Sequence, residues 1–212
     1  MTMKEEARPR RAGRPMDPAK REAILLAAES VFTQEGYSAS MDRIALAAGV
    51  SKQTIYKHFD NKETLFDAMV RRRSDVLVEP ITSMEGCARP DAVLEAQGVR
   101  FLELLGTHRY SGLVRAIMAA SAQGPDIGPH FYEKGPYTTL RRLADYLYRQ
   151  SVEGHLRIDD PLLAAEQFMG LVNGQLQLRA LLGHDLDMDD AQKHARATAA
   201  VHVFMAAYGP KT

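Results

Sequence analysis

The chain has 212 residues, 45% of them hydrophobic and 25% charged, enough to bury one large domain or a small one joined to a larger. Zero net charge excludes a surface that clings to polyanions everywhere, and no apolar run approaches the ~20 residues that span a bilayer, so no membrane partner is expected. A single cysteine, Cys87, excludes an internal disulfide framework or a cysteine-based zinc site and fits a reducing cytoplasm.

Charge is uneven along the chain. Residues 1–16 form a basic arm with no apolar core behind its charges, so it is not a secretory signal. Arg8, Arg10, Arg11 and Arg14 crowd it. It reads as a flexible solubilising tail, or as an arm whose Arg11 and Arg14 lie along a DNA minor groove, where narrow A·T stretches attract arginine.

The punctuation that follows is helical throughout, with no sustained period-two alternation. Asp17 caps a first helix, Pro18 suits its first position, and Ile24, Leu25, Ala28, Val31 and Phe32 give it one apolar face. Gly36 ends it. A short helix from about Met41 to Ala48 is capped by Ser40 and broken by Gly49. Ser51 caps another, whose Ile55 and Phe59 point inward, and Asp60 with Glu63 has the spacing of a capping box opening a longer helix. A break is expected around Pro80 to Pro90. Beyond it, helices are predicted over Asp91–Leu105, Tyr110–Ala122, Pro129–Val152, Pro161–Leu182 and Asp189–Tyr208, joined by short polar connections as in a bundle. Gly135 and Pro136 should bend or split the third of these.

Two short helices around a glycine turn, braced by a preceding helix, describe a helix-turn-helix over residues 17–62. With Ile55 and Phe59 buried, the polar side chains of the second short helix are left to enter a major groove. Gln53 and Thr54 can then read base edges, and Gln matches adenine. Lys52 reaches a guanine edge or a phosphate. Tyr56, Lys57 and His58 hold the backbone, as does Lys62 with the free amides of its helix, while Ser40 and Ser51 bond phosphates as well as capping. The bland alternative is a solvated helix face.

The stretch "AILLAAESVFTQEGYSASMDRIALAAGVSKQTIYKHFDNKETLFDAMV" resembles the DNA-binding domain of the TetR (tetracycline repressor) family of bacterial regulators. Ile44-Ala45, Ala48-Gly49-Val50-Ser51, Ile55-Tyr56, His58-Phe59, Lys62-Glu63 and Leu65 carry the likeness. It implies an all-helical homodimer on a palindromic operator of double-stranded DNA. It also implies a C-terminal domain that binds a small-molecule effector and releases the DNA, most often relieving repression. The chain departs from the family where many members carry threonine before the second helix: here "GYSASMD" is compact and offers Ser40. Thr54 stands where many members have another small residue.

Residues 63–212 are assigned to the helical ligand-binding and dimerisation domain. "LRRLADYLYRQSVEGHLRIDDPLLAAEQFMGLVNG" resembles the C-terminal domain of the AefR-like subset of the same family. The last two long helices are more apolar than one outer helix requires, and Leu171, Val172, Leu176, Val201, Phe204 and Tyr208 are read either as subunit interface or as intrachain core. Phe101, Leu105, His108, Met118, Phe131, Tyr132, Tyr137, Tyr148 and Phe168 are pocket candidates, with plain core as the competing reading of each.

No nucleophile elbow, phosphate-binding loop, dinucleotide fingerprint or HExxH motif occurs, so no enzyme, cofactor or metal is expected. The aspartates of "HDLDMDD" are read as a polar loop capping the last helix, where negative charge meets the positive dipole end.

Overall fold

The computed structural model describes residues 17–86, 89–122, 124 and 126–210, and helices account for nearly all of their regular structure. Arg11, Arg14 and Cys87 lie outside the described residues.

The local signals act where expected. Helix α1 (Pro18–Glu35) opens under the Asp17 side chain, which accepts from the Ala19 amide, and closes at Gly36. Helix α2 (Met41–Ala47) is capped by Ser40 and α3 (Lys52–His58) by Ser51, each hydroxyl oxygen accepting an amide three residues on at 3.1 Å. Helix α4 (Lys62–Leu77) starts one residue later than Asp60 implies. Asn61 accepts from the Thr64 amide at 2.8 Å and the Thr64 hydroxyl accepts back from the Asn61 amide at 3.2 Å, so that pair forms the capping box rather than Asp60 and Glu63.

The expected break near Pro80 contains a short helix, α5 (Glu79–Met84), whose proline occupies the first turn, where no donor is needed. Then follow α6 (Pro90–Leu105), α7 (His108–Ser121) and α8 (Ile127–Tyr132). Gly135 and Pro136 fall in a π-helical turn, Glu133–Tyr137, that leads into α9 (Thr138–Val152). The widened turn accommodates the missing proline donor, and the Gly135 carbonyl accepts the Thr138 amide together with the Ser74 and Thr139 hydroxyls at 3.3 and 3.1 Å. Residue 135 must be glycine for another reason: a Cβ there would stand 2.8 Å from the Val70 methyl of α4.

The helix predicted over Pro161–Leu182 is two, α10 (Pro161–Asn173) and α11 (Leu176–Leu181). Helix α12 (Asp190–Tyr208) follows, with Asp189 and Gln192 as a capping box.

Two buried clusters organise these helices. One joins α1 to α4 with Leu113 and Ile117 of α7 around Phe32 and Phe66, whose rings meet edge to face at 5.7 Å. The other gathers α6, α9, α10, α11 and α12 around Phe168 and Phe204. Helix α4 belongs to both halves. Leu65, Phe66, Met69 and Val70 pack with the N-terminal cluster, so that cluster runs past residue 62, while the far end of the helix meets α6 and α9.

Candidate functional site

The turn between α2 and α3 rests on Gly49, whose φ of +66° lies in the left-handed region. No atom lies within 4 Å of a Cβ built there, so backbone conformation rather than space demands glycine. Gly49→Val should therefore cost about 1–2 kcal/mol, read as a lower urea midpoint with unchanged slope. An unaltered midpoint would remove this account of the turn.

From that turn, α3 buries Ile55 completely and Phe59 just beyond it, and leaves Lys52, Gln53, Tyr56 and Lys57 exposed. Thr54 and His58 are half-buried. The Thr54 hydroxyl lies 2.8 Å from that of Ser51, so both are occupied locally. The buried His58 Nδ1 has no hydrogen-bond partner among the described residues. Lys52 donates to Asp42 at 2.8 Å, and the hydrogen bond and charge of that carboxylate push its pKa up. Lys62 differs from expectation: its ammonium donates to the Tyr37 carbonyl at 2.9 Å and sits 4.7 Å above the Tyr37 ring, bracing the end of α1. The exposed set is therefore narrower than the sequence implied: Lys52, Gln53, Tyr56 and Lys57 on α3, with the exposed caps Ser40 and Ser51.

A cavity of roughly 400 Å³ opens between α4, α6, the π-helical turn, α9 and α10. Phe101, Phe131 and Tyr132 line it as expected. The other candidates do not. Leu105 and Phe168 are wholly inside the C-terminal core, His108 stands in solvent near Asp185, and Met118 and Tyr148 are exposed on outer faces. Tyr137 stacks on Tyr132 at 5.9 Å without reaching the cavity.

The polar part of the wall was not anticipated. Arg73 donates to Glu29 of α1 at 2.8 Å, with only 10% and 8% of the two side chains exposed, and its guanidinium lies 5.2 Å over the Tyr110 ring. Burial pulls the Arg73 pKa down and the Glu29 charge opposes that. Burial likewise raises the Tyr110 phenol, whose oxygen accepts from Gln177 at 3.3 Å. Gln97, 1% exposed, completes this wall.

Of the proposed interface residues, Val172, Leu176, Val201 and Phe204 are buried within the chain, satisfying α10, α11 and α12 among themselves. Tyr208 is half-buried and donates to Gln167 at 2.5 Å. Leu171 alone of the six is exposed, and on the same helices Leu163 and Val203 are also exposed. A signal for this existed: residues three or four apart share a helix face, so Ala164, Phe168 and Val172 form the core side of α10, and Leu163 and Leu171 on the other side are still apolar.

Comparison with known proteins agrees with this geometry. Residues 24–69 match the family described as "Bacterial regulatory proteins, tetR family" and residues 92–210 match "AefR-like transcriptional repressor, C-terminal domain". The HTH-type transcriptional activator FasR of Mycolicibacterium smegmatis is 39% identical over 93 residues, covering 41% of this chain and 42% of that one, so the likeness spans less than half of the relative. A crystal structure of a TetR-family regulator from Mesorhizobium loti superposes with a TM-score of 0.75 at 30% identity, over 91% of this chain and 99% of the other. A flavonoid-responsive regulator, FrrA, superposes with a TM-score of 0.67 at 32% identity, over 92% and 100%.

Proposed function

The chain belongs to the TetR family of bacterial transcriptional regulators, and from that premise we propose that it is a homodimeric repressor that sits on a palindromic operator and leaves it when a small molecule enters the cavity. The observation that carries the reading is α3, which turns Lys52, Gln53, Tyr56 and Lys57 outward from a buried Ile55–Phe59 seam. One such helix reads too few base pairs for useful specificity, and a two-fold pair on matched half-sites remedies that. Exposed Leu163, Leu171 and Val203 on α10 and α12 give the apolar faces that a second copy would cover. Repression follows from occlusion of a promoter by the bound dimer, in the cytoplasm where the DNA is. The cavity has the size and mixed lining of a small-molecule site, and the responsiveness of FrrA to flavonoids supports that assignment.

Fluorescence anisotropy on duplex DNA from upstream of its own gene tests this directly. Two chains should bind each duplex, with affinity falling about a thousandfold between 50 and 200 mM salt if some six phosphates are contacted. Absence of binding at 50 mM salt to any fragment of that region would overturn the reading.

A further inference from the structure

Every polar side chain on the cavity wall except three already has a partner among the described residues. Arg73 is paired with Glu29, the Tyr110 oxygen takes the Gln177 amide, and the Ser74 and Thr139 hydroxyls both donate to the Gly135 carbonyl. Asn173 is engaged with Gln177, accepting from its backbone amide at 3.1 Å. Two exceptions are open to solvent, Glu166 on the outer side of α10 and Tyr132, 49% exposed. The third is Gln97. It is 1% exposed, borders the cavity, and its Oε1 has no hydrogen-bond partner. Buried polar atoms are nearly always satisfied, and no partner for this one exists among the described residues.

We propose that Gln97 selects the effector, and that the effector is an uncharged, largely apolar aromatic molecule whose hydroxyl pairs with the Gln97 carboxamide. This rests on the reading of the cavity as the effector site. The remaining walls fix the rest of the chemistry. Phe101, Leu104, Leu140, Leu143 and Met169 are apolar, and the aromatic side chains of Phe101, Phe131 and Tyr132 favour flat rings against them. Arg73 is the one cation among the lining residues, and its charge is neutralised by Glu29. An anionic ligand would have to break that buried pair, and Glu166 adds a repelling charge. A hydroxyl both donates and accepts, so it satisfies the carboxamide whichever way that group is turned.

Three probes of equal ring size separate the alternatives: 2-naphthol, naphthalene and 2-naphthoate, titrated calorimetrically into the full-length protein. The expected result is 2-naphthol binding about tenfold tighter than naphthalene, with 2-naphthoate weakest. In Gln97→Leu the advantage of 2-naphthol should vanish while naphthalene binds as well as before or better. That retention also shows the variant to be folded, and the wild-type comparison stands without it. Equal binding of 2-naphthol and naphthalene by the wild-type protein, tightest binding of 2-naphthoate, or an undiminished preference in Gln97→Leu would each overturn the inference and leave the cavity as an effector site. If none of the three binds, the effector-site reading falls with it.

Discussion

Glu29→Leu will destabilise the protein by about 3–5 kcal/mol, the range found when one member of a buried ion pair is removed and the other is left uncompensated. Glu29 reaches from α1, in the DNA-reading half, to Arg73 on α4, at the wall of the cavity, and both side chains are about nine-tenths buried. The leucine fills much of the glutamate's volume, so the loss comes from a guanidinium stranded where burial already lowers its pKa. In Glu29→Leu/Arg73→Met both charges are gone, and stability should recover most of what the single change lost. Chemical denaturation of the two single variants and the double one completes a cycle that isolates the pair. A double variant no more stable than Glu29→Leu alone would show that packing, not charge, dominates.

The same pair has a functional reading. A ligand that displaces α4 at Val70–Leu77 moves Arg73 with it, and Arg73 holds α1. On the proposed release by ligand, the double variant should bind operator DNA in a manner less sensitive to ligand, since release requires differential affinity between two states and the pair would help to distinguish them.

The DNA-reading half was legible in the sequence because its determinants are local. Asp17 before Pro18, Ser40, Gly49 and Ser51 each act within three residues of themselves, and each does in the structure what its type suggests. The misplaced box before α4 shows the limit of such signals: Asp60 and Asn61 are adjacent acceptors, and only the Thr64 hydroxyl, returning the bond, decides between them. Determinants that are distant in sequence were not legible. Helix α10 stops at Asn173 although the apolar pattern continues: Gly174 turns to a φ of +49°, with the Arg196 guanidinium of α12 packed where a Cβ would stand and donating to the Val172 and Asn173 carbonyls at 2.7 and 3.2 Å. Arg73 is the last of three successive arginines, which look alike in sequence, yet it is the one that turns inward to a glutamate 44 positions away. Apolar periodicity in α10, α11 and α12 likewise reported that faces are covered without saying by what, and Val172, Leu176, Val201 and Phe204 all proved to be covered by the chain itself.

For α3 the largest functional effect should come from Gln53→Ala. Gln53 is exposed in the first turn of the helix, two residues after the Ser51 cap, and carries no charge. A bidentate contact to one base is worth about 1–3 kcal/mol of discrimination, and a dimer makes it twice, so operator affinity should fall at least tenfold and commonly more. Preference should relax at one base pair in each half-site, symmetrically, while the dependence on salt stays as it was. Lys52→Ala provides the contrast. Lys52 must exchange Asp42 for the nucleic acid, so its loss should weaken binding to all sequences alike and reduce the salt slope by about one for each protomer. Selection of preferred duplexes from a random pool, followed by titrations at several salt concentrations, reads both quantities. If Gln53→Ala lowers affinity for every sequence equally, or changes nothing, the outward face of α3 is not what reads the bases.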